Sequence, residues 1–208
     1  MVRQPHAGIG ALAATYNAAV ARSRGEYVAI REGDDFWPPD KLEVQVGALE
    51  SSGAVLASGP TLMVDEGGST IQTVPGVLPR RAGLTNDPIG SAAVDLLHPS
   101  HLTFTFPVST VVRRSALLQI GGFQSRPYLA VVDLPTFVAL ASVGPFVWVD
   151  SVSGHWRRHA ASTTSGYLPA ILDGAYHHVQ EWLRSSAPAL GVPLEDIKSC
   201  LLYTSRCV

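Results

Sequence analysis

Gly25-Glu26-Tyr27-Val28-Ala29-Ile30-Arg31-Glu32-Gly33-Asp34-Asp35-Phe36-Trp37 is the stretch that decides the fold. Its apolar run, Tyr27–Ile30, reads as a short buried strand. The run ends in three carboxylates within four positions, followed by two aromatics and then Pro38-Pro39. Side chains alternate along a strand with period two, so Glu32 and Asp34 can face one ligand from the strand's end. In open α/β sheets, ligands bind beyond the carboxyl ends of strands. Oxygen ligands suit Mg²⁺ or Mn²⁺, and Mg²⁺ is held by one or two carboxylates together with substrate phosphates. The stretch therefore reads either as a divalent-cation site for a phosphate-bearing substrate or as a solvated acidic turn.

Outward from this strand, helical and extended patterns alternate. Upstream, Ile9, Leu12, Ala13, Tyr16 and Val20 recur at helical spacing, with Gly25 placed to end the helix. Downstream, Pro38-Pro39-Asp40 opens a second helix, with Asp40 as its cap and Glu43 completing a capping box. Leu42, Val46 and Leu49 give that helix one apolar face. Ala54–Ala57 reads as a strand, and Thr61–Val64 and Ser69–Val74 flank Asp65-Glu66-Gly67-Gly68 as a hairpin. Residues 75–90 are rich in proline and glycine and read as a surface loop. A short helix is expected at Ala92–Leu97, a strand at Val108–Val112, and a helix at Ser115–Ile120 stopped by Gly121-Gly122. Asp133–Val143 reads as a helix with Pro135 in its first turn, and Phe146–Val149 as a strand. Ile171, Leu172, Ala175, Val179, Trp182 and Leu183 form one stripe on a final helix. Strands alternating with helices argue for an α/β domain.

The composition fits a globular enzyme or binding domain. Of 208 residues, 46% are hydrophobic and only 15% charged, which excludes a disordered chain. A net charge of -2 without a basic cluster argues against nucleic-acid binding. No apolar run reaches the length of a membrane span, and no charged-then-apolar leader opens the chain, so neither a membrane span nor a signal peptide is read here. Cys200-Leu201-Leu202-Tyr203-Thr204-Ser205 is what TGT CTC TTA TAC ACA TCT encodes, a string within the transposase mosaic end used in sequencing libraries. Residues 199–208 are thus expected to be adapter read-through. Both cysteines, Cys200 and Cys207, fall there, so no disulfide, thiolate metal site or cysteine nucleophile is expected.

Two further clusters carry polar chemistry. Asp133 stands alone after an apolar stretch, where it can be a helix N-cap or a catalytic base. In His155-Trp156-Arg157-Arg158-His159, the arginines can grip diphosphate oxygens and the histidines can ligate metal, or the whole can be an exposed basic turn. His98, His101, His177 and His178 read as surface or packing histidines.

Taken in order, these motifs resemble the family 2 glycosyltransferases of the GT-A fold. His6-Ala7-Gly8 resembles the family's Asn-x-Gly, with His in place of the usual Asn, and Asn17 is followed by Gly25-Glu26-Tyr27. Glu32-Gly33-Asp34-Asp35-Phe36-Trp37 resembles the Glu-Gly-Asp-Asp-Tyr-Trp form of the metal-binding Asp-x-Asp, and Asp40–Val46 the helix that follows it. Ser109–Arg114 with Gly121-Gly122-Phe123 resembles the acceptor-side segment. Asp133-Leu134-Pro135-Thr136-Phe137 resembles the base motif, although its frequent Glu-Asp pair is reduced here to Asp133 because position 132 is Val. Trp156-Arg157-Arg158-His159 resembles the late Tyr-Arg-x-His.

The resemblance implies a mixed α/β sheet flanked by helices, with the first strands and the nucleotide-binding loop upstream of Met1. It divides the chain into a partial GT-A domain at 1–165, an amphipathic helix region at 166–198 and the read-through at 199–208. It implies inverting transfer of a sugar from a nucleotide-diphosphate sugar, a UDP-sugar, to a hydroxyl of a glycan or lipid-linked acceptor in cell-surface polysaccharide or glycan synthesis. The enzyme would work in the cytoplasm or at the inner face of the membrane, with at most peripheral attachment. Asp34, Glu32 and His159 would hold Mg²⁺ or Mn²⁺; Asp35, Arg157, Arg158 and His159 would contact the donor; Asp133 would be the general base. Acceptor choice would lie around residues 75–107 and in the C-terminal part. The rivals are another metal-dependent nucleotide-sugar enzyme, such as a nucleotidyltransferase, and a carbohydrate- or nucleotide-binding module without catalysis.

Overall fold

The computed structural model describes residues 8–74, 105–160 and 162–186, with positions 89, 90, 92, 93, 96 and 189 besides. The expectations for His6, most of the loop at 75–90, parts of the helix at 92–97, His98, His101 and the segment 199–208 lie outside the described residues.

Among the described residues the strands are β1 (Tyr27–Ala29), β2 (Leu56–Ser58), β3 (Thr61–Val64), β4 (Thr70–Val74), β5 (Val111–Arg113), β6 (Phe146–Trp148) and β7 (Gly154–Arg157). The α-helices are α1 (Leu12–Arg22), α2 (Lys41–Ser52), α3 (Arg114–Gln119), α4 (Asp133–Ala141) and α5 (Thr163–Ser185). The strands form two sheets, ordered β1-β5-β2-β6 and β4-β3-β7. In the first, β5 runs antiparallel to β1 and β2, while β2 and β6 are parallel. In the second, β3 pairs antiparallel with β4 and parallel with β7.

Period-two alternation gives the first sheet two apolar faces. Val28, Val112, Leu56 and Phe146 are in register across the strands and join the larger core with residues of α1, α3, α4 and α5. Ala29, Val111, Ala57 and Val147 form the opposite row and pack with Leu49 and Val46 of α2. Strands covered on both faces need continuous apolar runs rather than alternating ones, and Tyr27–Ile30 and Ala54–Ala57 supply them. Each fully buried side chain, such as Leu56, stabilises this arrangement by about 2 kcal/mol.

Several local expectations shift. The first helix starts in a 3₁₀ turn, Ile9–Ala11, and ends at Arg22 with extended Ser23, not at Gly25. Asp40 occupies the N-cap position of α2 but makes no side-chain capping bond. The buried stripe of α2 is Lys41, Gln45 and Leu49, while Leu42 is 45% exposed. The physical reason lies partly outside the helix: the Lys41 Nζ donates to Gln45 Oε1 within it and, at 3.2 Å, to the Thr110 carbonyl beyond it. Gln45 Nε2 donates to the Ser109 carbonyl at 2.7 Å. The residues expected to begin a strand at Val108 instead form a 3₁₀ turn, Pro107–Ser109. The approach of this turn to β7 leaves no room for a Cβ at Gly154, which would stand 2.8 Å from the Val108 carbonyl oxygen. On α5, Ala175, Val179, Trp182 and Leu183 are buried as expected, whereas Leu172 is exposed. His178 is buried beside Tyr128 and Glu181, and burial pulls its pKa down to about 4; His177 is exposed. Among the described residues, no helix is long and apolar enough to cross a membrane.

Candidate active site

The acidic loop leaves the carboxyl end of β1 and is fastened to the second sheet. Phe36 and His155 form a two-bond antiparallel bridge, Phe36 N–H to His155 O at 3.3 Å and His155 N–H to Phe36 O at 2.9 Å. Their rings stack with centroids 4.2 Å apart. The strand β7 is not legible as a strand in the sequence, yet it is this pairing that brings residues 155–159 to the acidic loop.

The three carboxylates of the loop point to different partners. Asp34 Oδ2 lies 2.8 Å from His159 Nε2, with the Asp34 side chain half exposed. Asp35 is buried; its Oδ1 accepts the Arg157 main-chain N–H at 2.9 Å, and its Oδ2 is buried without a hydrogen-bond partner. Burial pushes the Asp35 pKa up to about 6, with the Asp34 charge adding to the rise and the Arg157 N–H opposing it. Glu32 turns toward α1, where Tyr16 donates its hydroxyl hydrogen to Oε1 at 2.9 Å. Burial pushes Glu32 up to about 7; the Tyr16 bond opposes this, and the charges of Asp35, Asp133 and Asp34 reinforce it.

Asp133 is the first residue of α4, and its Oδ1 accepts the Leu134 N–H at 2.9 Å. Its pKa is raised by burial, with that hydrogen bond opposing the rise. The carboxylate is thus oriented by the N-terminus of its own helix.

The two arginines do not share one task. Arg157 sends its guanidinium to main-chain carbonyls, Asp34 O at 3.0 Å, Asp65 O at 3.1 Å and Glu66 O at 2.6 Å. Arg158 lies over the Trp156 ring, 5.0 Å from its centroid, with a terminal nitrogen 3.9 Å from Met63 Sδ. The expected set of Glu32, Asp34 and His159 is therefore not gathered at one point: the structure unites Asp34 with His159 and gives Glu32 to Tyr16. Among the described residues no three His, Cys, Asp or Glu side chains converge as a metal-holding group. Sequence reasoning counts Tyr16 only as an apolar helix position; its polar tip within an otherwise apolar stripe is the available signal.

The mixed sheet with helices on both faces, followed at the end of β1 by the acidic loop, has the GT-A architecture. The chain belongs to glycosyl transferase family 2, whose sequence profile matches residues 5–121, more than half of its length. No curated protein matches the chain significantly in sequence. Among solved structures it is similar to the crystal structure of S. aureus TarS, with TM-score 0.54, 13% identity, and coverage of 85% of this chain and 28% of that one. It is also similar to S. aureus TarS 1-349 in complex with UDP-GlcNAc, with TM-score 0.55, 14% identity, and coverage of 82% of this chain and 46% of that one. The chain thus spans less than half the length of these two structures, and at such identities the likeness concerns the fold. Arg157 and His159 lie beyond residue 121, and it is the tertiary structure that ties them to the acidic loop.

Proposed function

We propose that this chain carries the donor-diphosphate and catalytic part of an enzyme that transfers a sugar, with inversion, from a UDP-sugar to a hydroxyl of a glycan or lipid-linked acceptor. The observation that carries this reading is the contact of Asp34 Oδ2 with His159 Nε2 at 2.8 Å, which joins the acidic loop to the segment that follows β7. Family membership supports glycosyl transfer. The UDP-GlcNAc complex of the structurally similar TarS supports a UDP-sugar as donor.

The residues fit Mg²⁺ or Mn²⁺. Asp34 and His159 offer a carboxylate and an imidazole, and the unpartnered Oδ2 of buried Asp35 lies in the same loop. Two protein ligands suffice where substrate phosphates supply the rest. Bound there, the ion would neutralise charge on the departing diphosphate. Asp133 would take the proton of the attacking acceptor hydroxyl. Its Leu134 hydrogen bond fixes the carboxylate's orientation, and burial raises its proton affinity, which favours a base. Inverting displacement needs one base and no covalent intermediate, so it calls for no serine or cysteine nucleophile. Arg158, packed on Trp156 and Met63, would support β7 rather than the phosphates.

The test pairs two variants of the completed protein, with the upstream nucleotide-binding part restored. Asp133→Asn is expected to abolish transfer while keeping Mn²⁺-dependent UDP binding, and Asp34→Ala to lose that binding. Near-normal turnover in the first, or unchanged UDP titrations in the second, would remove the residue from its role.

A further inference from the structure

Asp34 is held at two points by one strand end. His159 contacts its carboxylate, and Arg157 Nε donates to its main-chain carbonyl at 3.0 Å. The same guanidinium reaches a segment far away in sequence: one terminal nitrogen donates to Asp65 O at 3.1 Å and to Glu66 O at 2.6 Å, both in the β3–β4 turn. The Arg157 main-chain N–H adds a bond to Asp35 Oδ1 at 2.9 Å. Its guanidinium carbon sits 5.4 Å from the centroid of the Phe36 ring, a cation–π contact that adds to its hold on the acidic loop.

We propose that Arg157 is a positioning residue that fastens the β3–β4 turn to the acidic loop and thereby fixes Asp34 against His159, and that it does not grip the donor diphosphate. This rests on the donor site proposed above and deepens it. A planar guanidinium can serve three carbonyls at set angles, whereas an ammonium acts from a single point, so lysine cannot replace it. A phosphate-gripping arginine would have to exchange these carbonyl bonds for phosphate oxygens and release both segments. The geometry favours the fastened state, because the turn closes on itself through Gly68 N–H to Asp65 O at 3.0 Å and Ser69 N–H to Asp65 Oδ1 at 2.8 Å. Closed in this way, it offers the Asp65 and Glu66 carbonyls to Arg157 as a rigid pair.

The experiment uses the full chain with Arg157→Ala and Arg157→Lys. Amide hydrogen exchange is expected to accelerate both in the acidic loop, at Asp35 and Phe36, and in the turn, at Gly68 and Ser69. Mn²⁺ affinity, read from the Mn²⁺ electron paramagnetic resonance signal, is expected to fall about tenfold in both variants, as for other residues that orient metal ligands. Affinity for pyrophosphate without metal is expected to stay unchanged. Unaltered exchange in the turn overturns the fastening, and lost pyrophosphate affinity with intact Mn²⁺ binding makes Arg157 a phosphate ligand instead. If the unaltered chain binds no Mn²⁺, the donor-site reading fails, while the exchange rates still decide the fastening. If neither variant folds, the unaltered chain decides: the Arg157 Nε–H resonance is expected to be protected from exchange and unmoved by pyrophosphate, and a shift on adding pyrophosphate overturns the proposal.

Discussion

Tyr16 of α1 donates its hydroxyl hydrogen to Glu32 Oε1 at 2.9 Å, joining the first helix to the loop that follows β1. The ring also meets Phe123 edge-on at 5.1 Å, so its apolar body and polar tip serve different neighbours. Tyr16→Phe keeps the ring contact and removes only the hydroxyl. A hydrogen bond to a charged or largely buried carboxyl contributes about 1.5–3 kcal/mol, so the variant is expected to be destabilised by about 2 kcal/mol. Urea unfolding measures this, and an unchanged midpoint would mean that Glu32 finds water in the folded chain.

Lys41 is buried beside the Trp37 ring, and its ammonium bonds to an amide oxygen of Gln45 and the carbonyl of Thr110, both uncharged. Burial pulls its pKa from 10.5 down to about 7. Between those values the unfolded chain binds the proton and the folded chain does not, so stability rises with pH across that window. Below about pH 7 the full cost of the buried charge is present, and it is relieved as pH climbs toward the unfolded value. The slope contributed by this one group is at most about 1.4 kcal/mol per pH unit. Denaturation midpoints measured from about pH 7 to about pH 9 are expected to rise more in the native chain than in Lys41→Met. Equal slopes would show that the ammonium keeps its charge in the fold.

Gly122 follows α3 at φ 89°, and a Cβ there would stand 2.3 Å from Asn17 Oδ1. Asn17 in turn accepts the Phe123 N–H at 2.7 Å and donates to the Phe123 carbonyl at 3.0 Å. Gly122→Ala meets both the backbone strain and the clash, for an expected loss of about 2–4 kcal/mol. Adding Asn17→Ala removes the clash but not the strain, so the double variant is expected to lose less than the sum of the single ones. Strict additivity in a thermal or urea cycle would show that the two positions do not touch.

The acidic loop and the hairpin are legible because their signals are local. An apolar run punctuated by Gly, Asp and Pro marks the end of β1, and Asp65-Glu66-Gly67-Gly68 marks the β3–β4 turn within a few residues. The strand β7 is hidden because His155, Trp156 and Arg157 carry no alternation; their strand conformation comes from pairing with β3, far earlier in the chain. The face of α2 escapes sequence reading for a related reason. Periodicity counts only apolar side chains, while Lys41 and Gln45 are drawn inward by the carbonyls of Ser109 and Thr110.

By itself, the sequence determined that a strand is followed by a loop bearing Glu32, Asp34 and Asp35, and that the strand belongs to an α/β core, because both follow from the spacing of neighbouring residues. Only the tertiary structure decided which carboxylate does what. Asp34 goes to His159, Asp35 to the Arg157 main chain and Glu32 to Tyr16, through contacts spanning 125, 122 and 16 residues. A side chain's direction is set by the partner that satisfies its charge, and those partners arrive from strands and helices whose meeting no local pattern encodes.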